Sequence, residues 1–478
     1  MFTLILLSLL IIFLKSFHYI YLFQIKEYRF DRFISYLKEE GIQSLLYSFQ
    51  IKYPAKSFRN GLIVIYMIFI LLLLLLSTFE VPFIYYFLTF ILPFTPAISL
   101  VLVSIGVFLT KFPAMIQRKI IIKKAQEKIK NTKTIFIGVT GSYGKTSVKE
   151  YLYHILTTTY LTAKTDANYN TDVGVAISII NNLKPQTKYF VAEFGAYKKG
   201  EIRKASYYIP LQYAILTGLG NQHLDLYGSR ENLIKEETYI LRKIPETGSV
   251  FVPQNSPANT YIKQKIKGQT ITYGMAKSNT IYADMITSDP YSQKAKITYK
   301  DISFVIETKL LGEHTIENFL PAIALSLDLG VPIKNIQTAI SYLSPITGKL
   351  SLHSGHKKSL VINDGVNSNV DGFISAIKTL KKFPHKQKII ISQGIIELGV
   401  EKRLSYKRIL DELVKTNIVL YTTDKLFSEL SSKKYQKSIV TFNDVDEIPN
   451  KLLTSIDKHS AILIEGKFPK TFIECILT

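Results

Sequence analysis

Gly141, Gly144, Lys145 and Thr146 stand in the run "TIFIGVTGSYGKTSVKEYLYHIL", Thr134 to Leu156, where an apolar stretch leads into a glycine-bearing turn and then into a helix-compatible segment. That order suits phosphate chemistry. A strand ending at Gly138 and a helix beginning near Thr146 leave the backbone N–H groups of Gly141 to Lys145, Ser142 among them, free to surround phosphate oxygens. Lys145 would reach the β- and γ-phosphates of a nucleoside triphosphate, and the Thr146 hydroxyl would ligate Mg²⁺, with Ser147 following at the helix start. The spacing departs from the common motif, because Val139 stands where the usual first glycine lies five residues before Gly144. An ordinary glycine turn is the competing reading, and the complete strand, Gly-Lys-Thr and helix context argues against it.

A phosphate loop needs a metal-holding carboxylate, and Glu193 closes the next apolar run, "YFVAEFG". Hard Mg²⁺ is usually held by a carboxylate in that place. Taken alone, Glu193 reads as a solvated strand end and His223 as a polar residue of intermediate burial. The elements that would position them are short apolar strands alternating with amphipathic helices: "TIFIGV", "YFVAEFG", "YAILTG", "GSVFVP", "SLVINDG", "KIIISQG" and "AILIEG". This is α/β organisation without internal repeats. A composition break near Pro345 to Gly355 separates a central domain from a last domain of ordinary size.

The first part of the chain is of another kind. Met1 to Phe23 is largely apolar with Lys15 its one charged residue, Gly61 to Phe79 carries no charge, and a second uncharged run covers Val81 to Thr110 with Pro93 and Pro96 inside it. These lengths predict about three membrane spans, the last either one kinked helix or a helix with a re-entrant piece. The features of a cleaved signal peptide are missing. Lys and Arg gather in Gln24 to Asn60 and after Thr110, while the turn at Glu80 has none, which predicts an outside amino terminus and a cytoplasmic remainder. The expected division is a membrane region over 1–112, a basic juxtamembrane linker over 113–132, a central domain over 133–345 and a last domain over 346–478. The chain of 478 residues carries 59 Lys and Arg against 37 Asp and Glu, a net +22. Basic flanks facing anionic lipid account for much of that excess, and no nucleic-acid-binding module is recognisable. With Cys475 the sole cysteine, an intramolecular disulfide and a Cys-rich zinc site are excluded.

The irregular loop "GVTGSYGKTS" resembles the nucleotide loop of the Mur ligases, ATP-dependent amide-forming enzymes of cell-wall synthesis. The likeness continues in order along the chain. "NYNTDVGVAISII" is similar to the family's substrate-side segment, which implies substrate contacts for Asn168, Asn170 and Thr171. "YFVAEFGAYKKGEI" resembles the strand with a magnesium-binding glutamate, matched by Glu193, and "AILTGLGNQHLDLYGS" the stretch whose histidine binds a second magnesium, matched by His223. "LLGEHTIENFLPAIALSLDLG" is similar to the helix whose asparagine contacts adenine, matched by Asn318. In the last domain "INDGVNSNVDGFISAI" and "QGIIELG" resemble the branch that adds D-alanyl-D-alanine, and Asp364 matches the ribose-contacting aspartate.

The resemblance implies an α/β fold with a P-loop central domain and a Rossmann-like last domain, here preceded by an α-helical membrane region. It implies ATP and Mg²⁺ as cofactors, a carboxylate activated as acyl phosphate, and attack by an amino acid or dipeptide amine, with Lys145, Glu193, His223 and Glu237 doing the chemistry. Glu237 occupies the place of a lysine that several members carbamylate, so an encoded carboxylate would replace the carbamyl group there, the alternatives being that Lys235, two residues away, does the job after a local shift or that neither does. Lys349, in "TGKL", stands for an arginine that contacts the γ-phosphate, keeping the charge without the bidentate geometry. Lys349 and Asp364 would join the site when the last domain closes. Nothing before Lys133 resembles the family's UDP-binding domain. The expected partners are therefore the bilayer, a UDP-linked or lipid-linked wall precursor and an amine. A membrane-tethered ATPase or scaffold, or a ligase of the folylpolyglutamate or cyanophycin type, is the alternative.

Overall fold

The computed structural model describes residues 2–47, 51–80, 90, 92–167, 169–196, 199–220, 227–262, 265–366, 368–395, 398, 401–430, 435 and 438–477. They form two compact units, Met1–Ile121 and Ile122–Thr478.

In the first unit the helices Phe2–Ile25 and Phe58–Glu80 follow the first two apolar runs. Both are long and apolar enough to cross a membrane. The third run, expected over 81–110, falls partly outside the described residues, and its helix is only Thr95–Leu109. Among the described residues a third helical pair is long and apolar enough only if that helix and Lys111–Lys130, bent by 41° at their junction, count as one. The helices meet through small and polar residues, as helices in lipid do. Ser16 Oγ and Ser99 Oγ lie 3.0 Å apart, both against the Ile12 carbonyl, and Gly106 admits the ring of Tyr66, which a Cβ would meet at 3.0 Å. Leu6, Leu10, Ile65, Phe69, Leu72 and Leu76 point outward and exposed, an apolar exterior unlike that of a soluble helical bundle.

The second unit holds two sheets. The first joins β1 (Ile135–Thr140), β2 (Thr162–Lys164), β3 (Tyr189–Glu193), β4 (Leu211–Leu216), β5 (Ser249–Pro253), β6 (Gln269–Gly274), β7 (Ile281–Ser288), β8 (Gln293–Tyr299) and β9 (Ile302–Thr308) in the order β2-β3-β1-β4-β5-β6-β7-β8-β9. Pairing is parallel from β2 to β7 and antiparallel from β7 to β9. β1 and β3 are apolar on both faces, as central parallel strands covered by helices must be. β8 instead buries Ala295, Ile297 and Tyr299 and turns Lys294 and Lys296 outward, the alternation of a one-sided strand. Helices Lys145–Thr157 and Glu313–Asp328 pack side by side, with the rings of Tyr151 and Phe319 4.3 Å apart.

The second sheet joins β10 (Ser351–Ser354), β11 (Leu360–Asp364), β12 (Gln387–Ser392), β13 (Ile418–Thr422), β14 (Ile439–Thr441) and β15 (Ser460–Glu465) in the order β10-β11-β15-β12-β13-β14. All pairs are parallel except β10 with β11. Open parallel sheets bind ligands beyond the carboxyl ends of their strands. Thr140 and Glu193 lie at such ends in one sheet, Asp364 and Glu465 in the other.

Candidate active site

β1 stops at Thr140 and the next helix starts at Lys145. Between them Gly141 has φ +134° and Gly144 φ +86°, and a Cβ would lie 2.2 Å from Thr217 Oγ1 at the first and 2.8 Å from Asn318 Oδ1 at the second. Both positions require glycine for backbone and for space. The loop N–H groups are not all free, which corrects the expectation for Gly141 to Lys145. Gly141 N–H donates to Glu237 Oε2 at 2.9 Å, and those of Ser142 and Tyr143 both donate to Gly218 O, at 2.9 and 3.2 Å. An anion is left the first turn of the helix, whose N–H groups have no intrahelical partner and carry the positive end of the dipole. Lys145 Nζ folds back onto the carbonyls of Gly141 and Ser142.

Glu193 ends β3 beside β1, with Val139 as its register partner. It is 3% exposed. Its Oε1 accepts from Thr146 Oγ1 and from Asn170 Nδ2, each at 3.3 Å, and its Oε2 faces Lys149 Nζ at 3.2 Å. Hard oxygen donors from a buried carboxylate and a hydroxyl suit Mg²⁺. Among the described residues no three His, Cys, Asp or Glu side chains gather into a metal cluster. His223 and Asn168 lie outside the described residues.

Glu237 is buried, and its Oε2 also accepts from Thr140 Oγ1 at 2.8 Å. Burying a carboxylate is costly unless donors surround it, and here one oxygen is spent on the start of the phosphate loop. Its neighbour Glu236 accepts from the N–H groups of Gly200 and Ile202, both at 2.7 Å. Thr171, expected at the substrate, accepts from Gly174 N–H as the cap of the helix Asp172–Asn182.

Lys349 crosses from the turn before β10 to place its Nζ 3.3 Å from Ser147 Oγ. Burial pulls its pKa down, while Glu193 and Asp364 pull it up. His314 bonds Ser375 at 2.9 Å and is held down to about 4 by burial and by Lys349. The Tyr143 hydroxyl is pushed up to about 12 by burial and by the carboxylates of Asp371 and Glu317. Asp364 pairs in register with Glu465 across β11 and β15, and Ser368 Oγ donates to Glu465 Oε1 at 2.6 Å. Burial raises both carboxyls, Asp364 to about 6, and Glu465 also because Asp364 is beside it.

The structure thus brings together Gly141, Ser142, Gly144, Lys145, Thr146, Ser147, Asn170, Glu193, Glu237, Asn318 and Lys349. Lys149, Glu236, Tyr143 and Glu465 escaped the reading of the sequence. Only Lys149 carried a usable signal, three residues after Thr146 and so on the same helical face.

Residues 139–326 match the Mur ligase middle domain. The central part of the chain is thus similar to the middle domain of the Mur ligases. It is 27% identical over 339 residues to the UDP-N-acetylmuramoyl-tripeptide–D-alanyl-D-alanine ligase of Buchnera aphidicola subsp. Baizongia pistaciae, covering 70% of this chain and 73% of that protein. With the Escherichia coli protein of the same name it shares 27% over 282 residues, covering 57% and 60%. The match thus leaves two-fifths of the E. coli ligase's length outside it. Among solved structures, MurF from Acinetobacter baumannii superposes with a TM-score of 0.67 at 24% identity, covering 75% of this chain and 80% of that one. MurF from Thermotoga maritima in complex with ADP gives 0.65 at 23%, covering 75% and 82%. These likenesses carry the Mur ligase fold to the second unit.

Proposed function

We propose that this chain is a MurF-like, ATP-dependent, ADP-forming amide ligase of cell-wall precursor synthesis, anchored in the plasma membrane by its first unit with the catalytic domains in the cytoplasm. The observation that carries the reading is the convergence of Lys145, Thr146, Glu193 and Lys349 at the carboxyl ends of β1 and β3. The helix start and Lys145 receive the phosphates of ATP, with Asn318 beside Gly144 and Asp364 serving the nucleoside. A carboxylate oxygen of the acceptor attacks the γ-phosphorus as the bond to ADP breaks, giving an acyl phosphate. The amine, losing its proton, then attacks the carbonyl carbon and inorganic phosphate leaves. Lys145 and Lys349 offset the charge that builds on the transferred group. Thr146 and Glu193, with His223 and the remaining oxygen of Glu237, would hold Mg²⁺, which when bound supplies charge neutralisation on the phosphates.

The amine is D-alanyl-D-alanine or a similar amino acid or dipeptide, following the names of the relatives. The acceptor is a muropeptide. With apolar helices in place of a UDP-binding domain, it is recognised at the bilayer, as a lipid-linked rather than a UDP-linked precursor. The test is ATP-dependent phosphate release by the detergent-solubilised chain, with Lys145→Ala as control, across amines and UDP-linked and lipid-linked muropeptides. Release that requires both acceptor and amine, with an amide product, supports the ligase. Equal hydrolysis without them makes the chain a membrane-tethered ATPase. Equal turnover of a UDP-linked acceptor by the chain lacking Met1 to Lys130 removes the lipid-linked part of the reading.

A further inference from the structure

Lys149 has no part in the reaction as described, yet it is the most thoroughly buried cation near the site, with a side chain 0% exposed. A lysine is almost never taken out of water completely unless something pairs with it. Its Nζ is 3.2 Å from Glu193 Oε2, 3.6 Å from Glu150 Oε1 and 3.5 Å from the Ala167 carbonyl. Glu150 in turn pairs with Lys164. The helix sets this geometry, because Thr146 and Lys149 are three residues apart and share the face turned to β3. Thr146 takes one oxygen of Glu193 and Lys149 the other. With Thr165 Oγ1 also accepting from the Glu193 N–H at 3.0 Å, the carboxylate has little freedom to turn.

We infer that Lys149 is a positioning residue for Glu193: it holds Oε2 so that Oε1, beside Thr146 and Asn170, is the oxygen presented to the metal that accompanies the nucleotide. The inference rests on Glu193 being a metal ligand, as proposed above. Groups that orient the ligands of a metal are worth roughly 10- to 100-fold in metal affinity when removed. An arginine would keep the charge without the compact ammonium that fits this pocket. The phosphate contacts belong to the loop and to Lys145, so nucleotide binding without metal should not depend on Lys149.

The test uses the full-length chain in detergent and direct binding of a fluorescent ADP analogue, in EDTA and across a Mg²⁺ titration, for wild type, Lys149→Met, Lys149→Arg and Glu193→Gln, with thermal melting of each. The expected result is that Lys149→Met binds the analogue in EDTA within threefold of wild type but needs at least about tenfold more Mg²⁺ for the metal-dependent tightening. Lys149→Arg should fall between the two. If Lys149→Met responds to Mg²⁺ as wild type does while Glu193→Gln does not, Glu193 remains the ligand and the positioning role is wrong. If Glu193→Gln also responds as wild type, the metal reading of Glu193 fails and this inference with it. A loss of binding in EDTA that parallels a fallen melting temperature makes Lys149 a residue of the fold only and overturns the proposal. Should Lys149→Met melt too low to assay, Lys149→Arg decides alone: an unchanged Mg²⁺ requirement overturns the role, and a raised one with EDTA binding preserved supports it.

Discussion

Lys349 lies 202 positions along the chain from Ser147, and its ammonium ends 3.3 Å from the serine hydroxyl. A cation from the turn ahead of the second sheet thereby stands at the start of the phosphate-loop helix of the first. Lys349→Ala is expected to lower kcat about 100-fold, the order seen when one donor to a transition-state oxyanion is removed, with a far smaller change in binding of an ADP analogue, which lacks the γ-phosphate. Steady-state phosphate release together with equilibrium binding checks this. A matching loss in both would place Lys349 at the diphosphate instead.

Among the described residues Lys145 bonds the carbonyls of its own loop, so Lys145→Ala should abolish phosphate release while leaving the melting temperature within a few degrees of wild type. Circular dichroism melts beside the activity assay separate the two effects.

Glu237 accepts from Gly141 N–H and from the Thr140 hydroxyl. Glu237→Ala leaves that N–H buried and unpaired, a cost of about 1–3 kcal/mol, and loosens the loop. Reduced denaturant resistance and weaker nucleotide binding in EDTA are expected together. Because the carboxylate is encoded, activity should also survive removal of CO₂. Activity that collapses without bicarbonate and returns with it would refute the substitution of Glu237 for a carbamyl group.

The Asp364 carboxyl is raised from 3.8 to about 6 by burial, and Glu465 beside it is raised as well. Across that window the folded protein keeps a proton that the unfolded chain has released. Stability should therefore fall as pH rises from about 4 to 6, with the cost complete above it and of order 3 kcal/mol. Glu465→Gln removes one acid and offers Asp364 a donor, so it should raise the melting temperature more at pH 8 than at pH 5. An equal shift at both would show that the pair does not share a proton.

Much of the fold could be read from the sequence where burial is two-sided. β1, β3, β4, β5, β11, β12 and β15 show as apolar runs because helices cover both faces of a parallel sheet. β7 to β9 escaped notice because a one-sided meander alternates, and the lysines of β8 masked its apolar half. The glycine turn between β1 and the helix that starts at Lys145 was legible, since Gly-Lys-Thr after an apolar run has a local mechanism. What its neighbours do was not. Gly218 and Glu237 meet the loop through the parallel pairing of β1 with β4 and the path back from the helix Arg230–Glu237. Lys149 shares a helical face with Thr146, but that spacing names no partner until β3 is placed beside the helix.

The adjacent glutamates Glu236 and Glu237 end one short helix but grip different loops, the turn at Gly200 and Ile202 and the phosphate loop at Gly141. A fluctuation that unwinds this last helical turn releases both at once. The loop after the Glu193 strand and the proposed phosphate loop are therefore expected to open as one cooperative unit. Their amides, Gly141 in one and Ile202 in the other, should exchange with solvent deuterium at a common rate, which nucleotide slows in both although it touches only one.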